Sequence, residues 1–395
     1  INYSPPIIES FTKFYVTSLP AAFQDEFNYF LGEFFYDYNN FRKAERYLDT
    51  VAENGPFGAR AAYLKALVLV QDKKYKSAVS LFEKAVTLAT RAVEQGESEE
   101  DVLDLAYLAL ARIAYEVGNY DGAIYYYRKI PERSPKVAEA LFEAGWTYFL
   151  AGNYRNALGV FHALHSPYLS YRYLPELYIL EATAYLNTCH YDKARDAVTR
   201  FQDDYLAQVL PLKHFLETHP TPNQLFEGLV RAANGDTSVG LPRIFVEAVL
   251  ANVEFYNLFR ALRSLERETD LLRVEGARLG EAGVALLRKA ESQHQRLIIE
   301  TGIKVQQILK TSLDSPDGGL TDLEIKATEV TFEIDSAEKD ALLAEVQKAA
   351  QQGVIEEKEL SRDRGAASML IGSSVQLWPF EGEYWQDELI YFKSF

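Results

Sequence analysis

Five segments of this chain share one spacing, in which a small residue is followed by an aromatic or apolar residue, an aromatic and an alanine at offsets 3, 9 and 12. They read Gly32/Phe35/Phe41/Ala44, Ala66/Leu69/Tyr75/Ala78, Ala111/Ala114/Tyr120/Ala123, Gly145/Tyr148/Tyr154/Ala157 and Ala182/Tyr185/Tyr191/Ala194. The closing alanines stand 34, 45, 34 and 37 residues apart. A period of this length belongs to an array of supersecondary units, none of which buries its apolar face alone, so neighbours must stack. The spacing predicts two helices per unit, joined by a tight turn such as Ala151-Gly152-Asn153 or Val117-Gly118-Asn119. The small residue on the first helix and the alanine on the second let two backbones approach, and the aromatics fill the space beside them. The 45-residue interval contains a charged insertion, Arg91 to Asp101, read as an extended helix end and a loop.

The pattern resembles the tetratricopeptide repeat, whose unit is 34 residues. Residues 141–167 carry the clearest copy, and Pro56 and Pro135 fall twelve residues past Ala44 and Ala123, where that family has its proline. The family's tryptophan position holds Asn28, Ala62, Tyr107, Leu141 and Tyr178, so the repeats are degenerate. The resemblance implies an all-α, superhelical solenoid over residues 25–204, after an amino-terminal segment at 1–24.

It also implies a concave face lined by the first helix of each repeat. Its fifth, ninth and twelfth positions are Tyr29, Glu33 and Tyr36 in the first repeat, then Tyr63, Leu67 and Val70 in the second. Leu108, Arg112 and Tyr115 follow, then Phe142, Trp146 and Phe149, and finally Ile179, Thr183 and Leu186. This face is aromatic and aliphatic, with Arg112 its only cation. The Lys and Asn set with which chaperone-binding members hold a terminal carboxylate is missing, which counts against a cytosolic chaperone adaptor. An apolar groove of this kind calls for an occupant. A partner peptide with aromatic or aliphatic anchors fits, and so does a later segment of the same chain.

After Asp204 the pattern changes. Residues 205–241 read as a capping element and linker, with one clear helix from Pro222 to Asn234. A very long helix is expected over Pro242 to Leu313, with a seam through Leu258, Leu262, Leu265, Thr269, Leu272, Gly276, Leu279, Gly283, Leu286 and Ala290. The turn Asp314 to Gly319 precedes a second seam, Leu320, Leu323, Ala327, Val330, Ile334, Ala337, Ala341 and Ala344. Residues 242–352 therefore predict a long antiparallel coiled-coil hairpin, a device for spacing or self-association, with a bundle folded against the solenoid as the alternative. Residues 353–395 are aromatic-rich and end in the amphipathic stretch Trp378 to Phe392.

Composition narrows the function. The net charge of −16 opposes nucleic-acid binding, since such a surface repels phosphates. No run of about 18 uncharged apolar residues is present to span a membrane. One cysteine, Cys189, excludes an internal disulfide and a thiolate-rich zinc site. The chain opens at Ile1 and its only methionine is Met369, as expected of a trimmed chain or a cleaved signal peptide. His162 and His165 lie three apart without further ligands, Cys189 and His190 are neighbours in a turn, and Gly276 to Gly283 lacks the strand and lysine of a phosphate loop. No cofactor, metal or reaction is expected, and the chain reads as a non-enzymatic scaffold that binds protein partners. The repeat array, the long coiled coil and the closing Glu383 to Leu389 motif are similar to envelope repeat proteins of gliding and predatory proteobacteria. That resemblance implies a periplasmic assembly component. A glycan-binding envelope protein using Trp378 and Trp385 is the alternative.

Overall fold

The computed structural model describes residues 20–169 and 172–352, and among them it contains sixteen α-helices and no strand. The helices gather in two compact units, residues 20–164 and 165–352.

The first unit is four helix pairs: α1 (Ala21–Asp37) with α2 (Phe41–Leu48), α3 (Gly58–Gln71) with α4 (Tyr75–Glu94), α5 (Glu100–Glu116) with α6 (Tyr120–Tyr127), and α7 (Val137–Leu150) with α8 (Tyr154–Leu164). The repeat residues do what their sizes dictate. Ala44, Ala66, Ala78, Ala111, Ala123 and Ala157 are fully buried. A Cβ on Gly145 would lie 2.5 Å from the Phe161 ring, and one on Gly32 would meet Leu48 as closely. Each apolar core is shared between one pair and the first helix of the next: Leu31, Phe35, Ala44 and Leu48 join Ala61, Leu64 and Val68 of α3. Likewise Ala66, Ala78 and Phe82 join Ala106 and Leu110 of α5, and Ala111, Ala123 and Tyr127 join Ala140 and Ala144 of α7. None of these three cores is confined to one pair, which is the physical content of a stacked array.

The turns are one structure repeated. Seven residues after each small residue the backbone turns left-handed, at Asn39, Lys73, Gly118, Gly152 and, in the second unit, Cys189. The amide of that residue donates to a carbonyl three back, and the next amide donates to a carbonyl five back, as in Asn119 N to Ala114 O at 2.8 Å and His190 N to Tyr185 O at 2.9 Å. This Schellman arrangement satisfies the last carbonyls of the first helix and aims the second antiparallel to it. Asn40, Asn119 and Asn153 then accept the first free amides of α2, α6 and α8. As expected, the Arg91 to Asp101 insertion lengthens α4 to Glu94 and adds a loop, in which Glu99 is buried and ion-paired to Arg60 at 2.9 Å.

In the second unit, α9 (Glu176–Asn187) and α10 (Tyr191–Asp204) form a fifth pair, with Ala182 and Ala194 fully buried. Two helices follow where one was expected. These are α11 (Val209–Thr218) and α12 (Pro222–Ala233). Pro211 hides α11 from sequence reading, but it lies in the first turn, where no helical amide bond is lost.

The coiled-coil expectation needs correction. The stretch from Pro242 to Leu313 is three helices, α13 (Arg243–Leu250), α14 (Val253–Glu275) and α15 (Gly280–Asp314). Asn252 caps α14 through the Phe255 amide, and a 3-10 turn at Gly276–Leu279 with a left-handed Gly280 reverses the chain. The hairpin is therefore α14 against α15, closed where Gly276 and Gly283 meet backbone to backbone. Leu262, Thr269, Gly276, Gly283 and Ala290 of the expected seam are buried, whereas Leu286 is exposed. The second expected arm, α16 (Leu320–Gln352), packs instead along α9 and α10, burying Leu320, Leu323, Ala327, Val330 and Ile334. Arg195 of α10 pins it through Asp335 (2.9 Å) and Glu338 (2.8 Å). The expected cap at α12 packs on α15, where Gly302 admits the backbone of Pro222. The helix that stacks on the fifth pair is α16.

Candidate functional site

The first helices of the four amino-terminal pairs present their fifth, ninth and twelfth positions as one surface. Tyr29, Tyr36, Tyr63, Leu67, Val70, Tyr115, Phe142, Trp146 and Phe149 are all half-buried, each with one side against the core and one open. Tyr29 stacks on Phe57 with centroids 5.3 Å apart and donates to Glu33 at 3.1 Å. Tyr36 leans on Phe41 and Tyr63 on Phe82, so each inner-face ring is braced by its own turn or second helix. Trp146 stacks on Phe149 at 6.2 Å, and Phe149 meets Tyr154 edge-on at 5.5 Å.

Contacts run from pair to pair. The Trp146 Nε1–H donates to the Tyr115 hydroxyl at 2.9 Å, joining α7 to α5. Burial pushes Tyr63 up to about 12, and its hydroxyl feels Tyr36 on α1, Arg112 on α5 and Glu139 on α7. Burial likewise raises Glu33, which the Tyr29 hydroxyl partly offsets. The face is thus continuous over α1, α3, α5 and α7, apolar, and edged by weakly acidic carboxyls.

Three residues of the sequence expectation stand differently. Arg112 is no free cation: its guanidinium donates to Glu143 (Nε at 2.9 Å to one oxygen) and to Glu139 (2.6 Å), while Tyr127 donates to Glu143 at 2.9 Å. Hydrogen bonds donated to Glu143 first, outweighing burial, hold Arg112 more firmly charged. Glu139 is held below the usual carboxylate range, because bonds from Lys136 and Arg112 outweigh a burial that would raise it. Arg112 is a latch between α5 and α7. Leu108 and Ile179 are buried and offer a partner no surface. Leu108 is small enough to disappear beneath the packing against Ala140 and Ala144, where Phe142 or Tyr63 remains half-open. Ile179 and the half-buried Leu186 belong to the second unit.

Sequence reading missed the polar cluster at the start of the second unit. Glu181, buried on α9, lies 3.0 Å from His165 Nε2 and accepts from Arg200 at 2.8 Å. Burial alone would push this carboxyl up, but His165 and Arg200 hold it below the usual range. Beside it, Tyr178 donates to Asp204 at 2.7 Å. The signal was the glutamate next to the signature Ala182, at a position that holds Leu31, Leu110 and Ala144 in three of the other pairs and Lys65 in the second. Among the described residues no group of three or more His, Cys, Asp or Glu gathers as a metal site, and no helix is long and apolar enough to cross a membrane.

The Tetratricopeptide repeat family profile matches residues 31–97 and 105–164, the four pairs just described. Residues 31–97 and 105–164 are thus tetratricopeptide repeats, and the helical pairs they form are the solenoid that repeat builds. No curated protein matches the chain. Trp378, Trp385 and the Glu383 to Leu389 motif lie outside the described residues.

Proposed function

We propose that this protein is a non-enzymatic scaffold that holds a partner polypeptide along the shared face of α1, α3, α5 and α7. The observation that carries the reading is the row of half-open rings from Tyr29 to Phe149, braced from behind and linked from pair to pair. Rings fixed in this way lose little further freedom when a ligand packs on them, which favours aromatic anchors at interfaces. Arg112 is engaged by Glu139 and Glu143, and Arg60 near Tyr29 by Glu99, which disfavours capture of a terminal carboxylate. The ligand is therefore an internal segment with two or more aromatic or aliphatic anchors, not an acidic chain end. Residence in the periplasm, within an envelope or motility assembly, belongs to the same proposal and is tested by fractionating the native cell.

A displayed library of random twelve-residue peptides tests the binding chemistry. Peptides with paired apolar anchors should be enriched by the protein and not by the Trp146→Ala/Phe149→Ala variant. Enrichment of acidic carboxyl-terminal motifs, or equal enrichment by the variant, would remove the reading.

A further inference from the structure

One side of α14 packs on α15 through Leu262 and Thr269. The opposite side carries Val253, Tyr256, Arg260, Ser264, Arg267 and Leu271 at steps of three and four, and all six are exposed, Val253 by 65% and Leu271 by 64%. Such steps keep them on one face over about 27 Å. In a chain of net charge −16, this face holds two arginines and no acid. A helix with a second seam opposite its packed one is set up for a further helix.

We propose that this face docks on α16 of a second copy of the chain. The helix α16 carries eight acidic residues against three lysines. Opposite the side that packs on α9 and α10, it exposes Ile325, Glu329, Phe332 and Ser336, again at steps of four and three. Residues 339–348 are exposed on every side, so Leu343 continues the row. Laid antiparallel with Arg267 opposite Glu329, the two faces match along their length. Leu271 meets Ile325, Ser264 makes room for Phe332, Arg260 meets Ser336 between Glu333 and Asp340, and Val253 meets Leu343. Arg267 and Glu329 are both without an ion-pair partner among the described residues. Within one copy the two faces are held apart, because α14 packs on α15 and α16 on α9 and α10. The α14 face of another copy is a poor occupant, since four arginines would meet with no acid on either side. The matching row lies on this same chain and is present wherever α14 is. One face meets a different face, so the contact closes into a pair that makes it twice or runs on into a chain. It uses none of the groove on α1, α3, α5 and α7.

Sedimentation of the whole chain at low salt tests it. The wild type should associate, and the association should weaken as salt is added. Arg267→Glu and Glu329→Arg should each weaken it at least tenfold, since each sets like charges face to face. Mixed one to one, the two variants should associate again, because every contact between unlike copies then joins opposite charges. A folding defect cannot mimic that recovery. A wild type that stays monomeric at every concentration reached would overturn the proposal, as would a mixture that fails to recover. Association that Arg267→Glu abolishes and Glu329→Arg leaves intact would overturn it too. Binding of phosphatidylglycerol vesicles by a monomeric wild type, lost in Arg267→Glu, would assign the face to anionic lipid instead.

Discussion

Lys73 and Cys189 sit at a backbone position that the third and fourth repeats fill with glycine, φ +57° and +60° against +74° at Gly118 and +70° at Gly152. A side chain with a Cβ there costs about 1 kcal/mol or more. Lys73→Gly and Cys189→Gly should therefore each stabilise the protein by about 1 kcal/mol, and Asn39→Gly by less, since asparagine tolerates this conformation. Urea unfolding would read the order. The opposite sign is expected at Gly145, where Gly145→Ala forces a methyl group against Phe161 and should cost about 1–3 kcal/mol. Glu181 gives a pH-dependent test. Its folded pKa lies below the ordinary value of about 4.3, so its contribution is fully present above that pH and lost as the pH falls through the lower folded value. Glu181→Gln should cost about 1.5–3 kcal/mol at neutral pH and should flatten the acid side of the stability profile. An acid limb unchanged in the variant would show that Glu181 does not set it.

At the scale of elements, legibility depended on whether a local signal could be told from its near neighbour. The pairs α1/α2 to α9/α10 were readable because small residues, aromatics and alanines at fixed offsets each answer to a steric need, seen in Gly145 against Phe161. The reversal at Gly276–Gly280 was not, because a seam of apolar residues at steps of four and three looks the same whether it faces another helix or folds back on itself. The three glycines at 276, 280 and 283 were the available sign. The partner of α16 was hidden for another reason: Leu320 to Ile334 say that a face is buried, not against what. In the groove, residue types were legible but depth was not, so Leu108 looked like Phe142, and Arg112 looked free because Glu139 and Glu143 lie a repeat away. As a latch between exposed groups, Arg112 is worth about 1 kcal/mol or less. Arg112→Ala should thus loosen α5 from α7 only modestly, by an amount that shrinks as salt is added.

At the scale of the whole molecule, the proposed function requires the half-open rings on α1, α3, α5 and α7 to be a binding surface rather than an unfinished core. Trp146 and Phe149 belong to neither extreme, since each packs on its neighbours and keeps an open side. The most direct measurement is titration calorimetry of a library-selected peptide against the wild type and against Trp146→Ala/Phe149→Ala, with thermal melts of both in parallel. A loss of affinity of thirtyfold or more, with a melting temperature within a few degrees of wild type, is the predicted result. Undiminished affinity in the variant, or a collapse of its melting temperature, would contradict the account and return these rings to the core.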